Sequence, residues 1–587
     1  MAEPNRAFVN KKEAKIANAV VALYRRSEAG FTEARGAWEK YRDFYYGKQE
    51  VQTSDANDIH RPIFNLVKPA VDSGVAIITS ERPAMVFSPV ATQASEQAEL
   101  NAYALNQVHP QVWKTINGQD RLIDMVMNAA RYGAGYITVE WDPNAKGGIG
   151  DIGLKTWTPF HVYPDPDATS IEDATFITFC EEMPKATAEK MYGKKIAGGE
   201  NSYGDFAKYQ EENSNKTIRV YTTWIRQGVD MDEGEPNLAP KQGIRRLVTS
   251  GETVLRDNTN IYWHGQIPVV FFPWTPKPNE FLGVGMVESM VDGQTSYNQL
   301  MYLMYANLIY TGWNYVVTNR EEIADQIDNT IGKVIPVEGD LNSTLKIERG
   351  KGFPQEARAL AHDIKGTLYD IAGRPDAPAE AMMRSHPASG AALQTHAQQT
   401  LGRMRLVGLA YRGALEKLSR LMLSLYQQFY HQDRVFRLTD DEGQATAFVF
   451  NREDVMGEWD VAVDMDATMP ASSSERFERA MALLQAGVYQ PEHVLRAIND
   501  PYKVEITRAI QEAREAQDAQ QREQLDAQMQ MQQESDAAAA ERQAQADEAR
   551  MGEQEMKLDA KADEQASQHQ MEILKMLQQE QMQGAAG

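Results

Sequence analysis

Residues able to do chemistry are sparse in this chain, and their spacing argues against most reactions. Gly148-Ile149-Gly150-Asp151-Ile152-Gly153 has the GxGxxG spacing of a dinucleotide-binding turn. Such a turn needs a strand before it and a helix after it, so that the helix N-terminus meets the pyrophosphate. Strand-like Leu154-Lys155-Thr156-Trp157-Thr158 follows instead, so the segment reads as a hairpin turn. Asp142-Pro143-Asn144-Ala145-Lys146-Gly147 resembles the opening of a calcium loop. The twelfth position of such a loop needs a bidentate Glu; here it is Gly153, and Lys146 stands at a ligand position. Asp165, Asp167, Glu172 and Asp173 form a second acidic loop, an ordinary turn or a divalent-cation site. There is no P-loop, no HExxH and no GxSxG, and the ten histidines do not cluster. A nucleophile, base and orienting group cannot be assembled. The expectation is a protein that is not an enzyme, with no cofactor and no metal.

The segment with a different kind of promise is Met382-Met383-Arg384-Ser385-His386. Pro378 and Pro387 bracket it and deny both ends a continuous helix. Methionine adapts to irregular contacts. Arg384, with His386, suits transient contact with phosphates. The plain alternative is an ordinary linker. A long helix must carry this loop. Ser389 is placed to cap it, and no proline follows through Gln432. Leu401, Met404, Tyr411, Leu415, Leu418, Met422, Leu425 and Phe429 recur at helical spacing, the mark of one buried stripe. About 44 residues make a rod of roughly 65 Å.

Composition sets the frame. The chain has 587 residues, 42% of them hydrophobic, enough for several packed domains. The formal net charge is −23. An acidic protein lacks the lysines and arginines that grip phosphate, although it can surround nucleic acid without gripping it. Cys180 is the single cysteine, so a disulfide framework is excluded and a reducing, intracellular setting is expected. The polar N-terminus lacks the apolar core of a signal peptide, and no apolar run is long enough to span a bilayer. No membrane association is expected.

Periodicity predicts helices at Lys11–Arg26, Glu33–Tyr46, Ile63–Ser80, Ala94–Val108 and Ile116–Arg131, with a strand around Met85–Val90. From Gly135 the period switches to two. Tyr136–Trp141, Leu154–Thr158, Phe160–Tyr163, Phe176–Phe179, Thr217–Arg226, Arg245–Thr249 and Val269–Phe272 read as strands. A helix of about 25 residues follows Gly283. Strand candidates Tyr315–Thr318, Val334–Val337 and Leu345–Glu348 come next, then a helix at Ala357–Ala372. Helix, β tip and returning helix form an arm. Val435–Leu438, Ala447–Phe450 and Val461–Met465 return to strands, Ser472 and Glu475 offer a capping box, and helices are expected at Glu475–Gln485 and Pro491–Asn499. From Glu505 the chain is Gln, Ala, Glu and Met, with high helix propensity but no continuous apolar stripe. Alone it reads as a frayed helix or disorder; within a ring of helices it reads as ordered. The fold class is α+β, mainly helical with small β modules, one long helix and a C-terminal helical tail.

Several segments together resemble the portal (head-to-tail connector) proteins of tailed bacteriophages, in particular the short-tailed type. They are WEKYRDFYYGKQ with RPIFNLVKPAVDS, RYGAGYITVEWDP with TPFHVYPDPDA, and PWTPKPNEFLGVGMVESMVDGQTSYNQL. The likeness runs in order from about Trp38 to Met465. It implies a multi-domain portal fold, with a ring of usually twelve identical subunits at one capsid vertex. Double-stranded DNA passes through its channel, driven by a separate terminase and later ejected. By that likeness residues 1–284 are the wing, 285–312 the first stem helix, 313–356 the clip and 357–374 the second stem helix. Residues 375–390 are then the tunnel loop, 391–471 the long helix and wing return, 472–504 the crown, and 505–587 a helical barrel or disordered tail. The implied DNA-channel residues are Met382, Met383, Arg384, Ser385 and His386. The implied docking residues in the clip are Arg320, Glu321, Glu322, Lys346, Arg349 and Lys351. Implied partners are other copies of the chain, the terminase large subunit, a tail adaptor, and the major capsid and scaffolding proteins. The implied location is the portal vertex of the virion, with the host cytoplasm during assembly. Twelve copies at −23 each carry −276 formal charges, and an acidic channel limits sticking of DNA. Two other classes compete: a non-portal scaffold or adaptor with a coiled-coil-like tail, and an enzyme using the glycine-rich turn.

Overall fold

The computed structural model describes residues 10–50, 60–79, 83–90, 96–197, 217–231, 235–311, 314–318, 345–349, 354–372, 390–439, 445–464, 481–486 and 503–583. It is a mixed α+β chain. Two compact units divide it: Met1–Leu438 with Ala445–Ser473, and Thr439–Gln444 with Ser474–Gly587.

The first unit begins with α1 (Lys11–Gly30), capped by the Asn10 side chain accepting from the Lys12 amide. Then come α2 (Thr32–Tyr45), α3 (Val67–Thr79), β1 (Ala84–Pro89), α4 (Glu96–Thr115) and α5 (Gly118–Tyr132). Helix α4 overruns its expected end at Val108 and passes through Pro110. A proline inside a helix costs about 3 kcal/mol. Burial of Val112 and Trp113 beyond it offsets that, at about 1.5–3 kcal/mol for each large apolar side chain.

The central strand β2 (Ala134–Asp142) pairs antiparallel with β3 (Asp151–Trp157) on one side and β9 (Val269–Pro273) on the other. Between them runs a five-stranded antiparallel meander: β4 (Val162–Pro164), β5 (Phe176–Pro184), β6 (Thr217–Ile225), β7 (Arg245–Ser250) and β8 (Thr253–Thr259). The strand expected at Phe160–Tyr163 is largely a 3₁₀ turn, Pro159–His161, and only Val162–Pro164 pairs. Pro159 has no N–H to give a ladder. Two elements were not legible in the sequence. Strand β8 is an edge strand whose second half is exposed, so it lacks alternation. Helix α6 (Lys185–Tyr192) buries only Ala188, so it shows no stripe.

After β9 come α7 (Met286–Thr311), β10 (Asn314–Thr318), β11 (Leu345–Arg349), α8 (Gln355–Ile371) and α9 (Gly390–Phe429). Strands β12 (Arg434–Thr439) and β13 (Ala445–Phe450) form a hairpin pair, and β14 (Trp459–Asp464) returns to pair antiparallel with β1. The capping box at Ser472 and Glu475, the helix at Pro491–Asn499 and the strand at Val334–Val337 lie outside the described residues; residues 481–485 are helical. The second unit contains α10 (Lys503–Gln583), 81 residues long, about 120 Å at 1.5 Å per residue. It is one uninterrupted helix, not the frayed or disordered tail expected of an isolated chain. Its Ala, Glu, Gln and Met content and ion pairs such as Lys557–Glu553 at 3.0 Å favour the helix locally.

The main core lies where α3, α5, α7 and α9 meet the sheet of β2, β3 and β9. A second core packs Val20, Leu23 and Tyr24 of α1 against Phe176, Ile225 and Leu247 of the meander. On α9, Met404, Tyr411, Leu415, Leu418, Met422 and Leu425 are buried and Phe429 partly so, as the stripe predicts; the Leu401 side chain lies outside the described residues.

His109 sits inside this core. Tyr426 Oη lies 3.1 Å from Nδ1, and Met85 Sδ lies 3.0 Å from Nε2. The partners suit a neutral ring carrying its proton on Nε2, with the tyrosine donating to Nδ1. Burial lowers its pKa from 6.5 to about 4. Between those values the unfolded chain binds the proton and the folded one does not, so stability falls with acidification through that window and is flat above it. The span is worth about 3 kcal/mol. His109→Gln should therefore flatten the dependence of the urea midpoint on pH between about 6.5 and 4, whatever its effect at pH 8. An unchanged slope would remove His109 as its source.

Candidate functional site: the helix–strand–helix arm

The arm is built from the base upward. Helix α5 ends at Gly133, whose φ of +82° lies in the left-handed region. Gly283 and Gly285 approach it just before α7 starts. A Cβ on Gly133 would lie 2.2 Å from the Gly283 carbonyl oxygen, and one on Gly285 would lie 2.8 Å from the Gly133 nitrogen. Backbone therefore packs on backbone where the arm leaves the body, which side chains would prevent.

The first half of α7 is then clamped. Val287, Met290 and Val291 enter the core, and among them Gln294 and Asn298 are buried at 0% and 2% exposure. Residues 61–66 belong to no helix or sheet, and the two amides bond their backbone as a neighbouring strand would. Leu66 N donates to Gln294 Oε1 at 3.0 Å, and Gln294 Nε2 donates to the Phe64 carbonyl at 2.8 Å. Phe64 N donates to Asn298 Oδ1 at 3.2 Å, and Asn298 Nδ2 donates to Gln49 Oε1. Tyr41 of α2 reaches Glu288 on α7. Burial first, and then this carboxylate, push its phenol up to about 12.

Farther out, α7 meets the returning α8. A Cβ on Gly293 would lie 2.8 Å from Leu368 Cδ2, so the glycine admits a buried leucine. Leu303, Leu308, Leu360 and Ile371 remain exposed on the two helices. Strands β10 and β11 pair antiparallel, with Val317 opposite Lys346 and Asn314 opposite Arg349. Arg320, Glu321, Glu322 and Lys351 lie outside the described residues, as do Met382, Met383, Arg384, Ser385 and His386.

The C-terminal end of α9 is held by several contacts. Trp141 stacks on Phe429 at 4.8 Å and 8°. Gln428 Nε2 donates to the Ile261 carbonyl at 2.7 Å, and Gln427 Nε2 to the Val455 carbonyl at 2.8 Å. Just beyond α9, Tyr430 Oη donates to Asp151 Oδ1 at 2.9 Å, and the Arg434 guanidinium lies 3.8 Å above the Tyr430 ring. Lys146 Nζ reaches the other oxygen of Asp151 at 2.7 Å.

This accounts for the glycine-rich turn. Asp142 pairs with Asp151 across a hairpin whose loop is residues 143–150, and β3 follows where a nucleotide site would have a helix. Asp165 accepts from the amides of Asp167 and Thr175 and from the Thr175 hydroxyl, while Asp167 pairs with Arg26 at 2.5 Å. Burial pushes the Cys180 thiol up to about 12. Among the described residues no three His, Cys, Asp or Glu side chains are grouped to hold a metal, and no helix is long and apolar enough to cross a membrane.

The phage P22-like portal protein family matches residues 22–558. The chain belongs to that family. It is a phage portal protein, a head-to-tail connector component of the virion. No curated protein matches the chain. In the portal chain the sequence reading missed two features, the amide clamp and the three-glycine crossing. Both left a signal. Gln294 and Asn298 stand four apart inside the apolar stripe of α7, and two polar residues at that spacing on a buried face must have partners.

Gln294→Leu removes both hydrogen bonds to the 61–66 segment and leaves the Phe64 carbonyl and Leu66 amide unmatched. A loss of about 2–4 kcal/mol is expected, read as a lower urea midpoint. Gln294→Glu keeps the acceptor for Leu66 but not the donor for Phe64. A Leu variant as stable as the parent would show that the clamp is dispensable.

Proposed function

We propose that the chain is a non-enzymatic subunit of a closed ring, most simply a dodecamer, of the short-tailed phage type and with a multi-domain portal fold. Double-stranded DNA enters and leaves the capsid through the ring. The family match over residues 22–558 carries this reading, and the arm of α7, β10, β11 and α8 supports its layout. In that layout residues 1–284 are the wing. Residues 285–312 and 357–374 are the stem helices, and 313–356 are the clip, where the terminase large subunit and later the tail adaptor dock. Residues 375–390 are the tunnel loop on α9, 391–471 complete the wing, 472–504 are the crown, and 505–587 the barrel. Major capsid and scaffolding proteins surround the ring at the vertex. The chemistry suits a conduit: the net charge of −23 repels phosphate and limits sticking.

Electron micrographs of the purified chain test the ring. Closed rings with a single subunit number are expected, and a strictly monomeric mass at micromolar concentration would overturn the reading. Charge reversal at Arg320, Glu321, Glu322, Lys346, Arg349 and Lys351 should weaken terminase or adaptor capture while rings persist. Loss of rings would make that segment an assembly element first.

Arg384 repeated around the ring places a positive belt in an acidic tunnel. Exposed single contacts of this kind are weak and screened by salt, which suits a sliding surface. Arg384→Glu should leave rings and capsids normal but lower the length or retention of packaged DNA. Unchanged DNA length and unchanged particle stability would remove the loop as a DNA contact.

A further inference from the structure

Helix α10 carries an eleven-residue repeat that its composition conceals. Ala516, Ala527, Ala538, Ala549 and Ala560 fall in one column, ended by Met571. Two residues on, Met529, Ala540, Met551, Ala562 and Ile573 fall in another, alternating large and small. A third column is Gln521, Gln532, Gln543, Gln554 and Gln565. The helix is continuous through all of them, and among the described residues its large apolar side chains stand exposed: Met551 is 67% exposed and Ile573 53%.

Eleven residues over three turns advance about 98° each, so columns keep their bearing along the whole rod, with a slight right-handed lean. The alanine column and the Met/Ala/Ile column are then about 196° apart one way round and about 164° the other. A two-stranded coiled coil needs a single seam. Two seams on nearly opposite flanks serve a helix with a neighbour on each side. In a closed ring of parallel rods the arc between the two contacts is narrower than 180° on the lumen side, about 150° for twelve members.

The two arcs differ in charge. In the three middle columns of the broader arc, fifteen positions between Ala516 and Gln570 include the glutamine column, Arg550, Lys557 and Lys561, and no carboxylate. Three of the four columns of the narrower arc hold fifteen positions with seven carboxylates, Glu541, Glu548, Asp559 and Asp563 among them, and no lysine or arginine.

The geometry points to a sided tube: the alanine seam of each α10 packs against the Met/Ala/Ile seam of the next copy, with the acidic face lining the lumen and the amide and basic face outward. This rests on the ring proposed above. Alanine opposite alternating methionine and alanine lets neighbours interdigitate. An acidic lumen repels a passing duplex without binding it.

The test uses the full chain, whose one native thiol, Cys180, is buried. Ala549→Cys with Met551→Cys places a thiol on each seam. Gln543→Cys with Glu541→Cys places one on each face. All four positions are on an exposed helix surface, so folding is not at risk. A short bismaleimide should link the seam pair into a ladder reaching the ring number and leave the face pair as monomers. A seam pair that stops at dimers, or a face pair that ladders, overturns the two-seam packing. Micrographs of the same samples separate the two readings. Rings without a ladder overturn the tube and leave the ring standing, whereas absence of rings removes both. For sidedness, biotin-maleimide followed by streptavidin should capture rings of Gln554→Cys and not of Glu548→Cys. The reverse pattern overturns the assignment of the acidic face to the lumen.

Discussion

Everything in the first unit depends on how the second half of α9 is held. Its buried stripe crosses the sheet of β2, β3 and β9, and Tyr411 meets Phe272 edge-on at 5.7 Å. Hydrophobic burial of that kind supplies the stability but not a fixed position, because it is non-directional. Position comes from the far end. There the Gln427 and Gln428 amides, the Tyr430 hydroxyl and Arg434 reach three separate parts of the chain. Asp151 is the centre of that anchorage. It is buried, so its charge has to be matched, and Lys146 and Arg434 supply the match. Lys146 lies in the hairpin and Arg434 just beyond α9, so their shared carboxylate ties the two segments together.

The arm applies the same logic in reverse. Where α9 enters the body through apolar contact, α7 leaves it through backbone contact at three glycines and a pair of buried amides. Hydrogen bonds with fixed directions set the exit angle of a long helix better than apolar packing can. Beyond Asn298 the burial thins, and Leu303 and Leu308 stand exposed. The outer half is thus mixed, with Tyr302 and Ala306 buried between the exposed leucines.

Charge is partitioned as well. Within the body, several arginines are tied to carboxylates or aromatic rings, as with Arg245 on Asp257 and Arg35 over Tyr163. Mutual repulsion along the tail is tolerable because α10 draws its helicity from local propensity and needs no core of its own.

The sequence alone determined what depends on local pattern. The 3.6-residue stripes of α1, α5, α7 and α9, the reading of the glycine-rich turn as a hairpin and the high helix propensity after residue 505 were all legible. Each is a property of neighbours within a few residues. The family likeness was legible too, from motifs in order. What only the tertiary structure decided were meetings between distant segments. The pairing of β1 with β14 joins Ala84 to Asp464, and no local signal ranks one strand partner above another, since the backbone groups that pair are the same in every residue. The edge strand β8 and the passage of α4 through Pro110 were settled by the neighbours they gained. Gln294 and Asn298 could be seen as polar residues in an apolar stripe, but their partner, a segment outside any helix or sheet more than two hundred residues earlier, meets them only once the chain has folded.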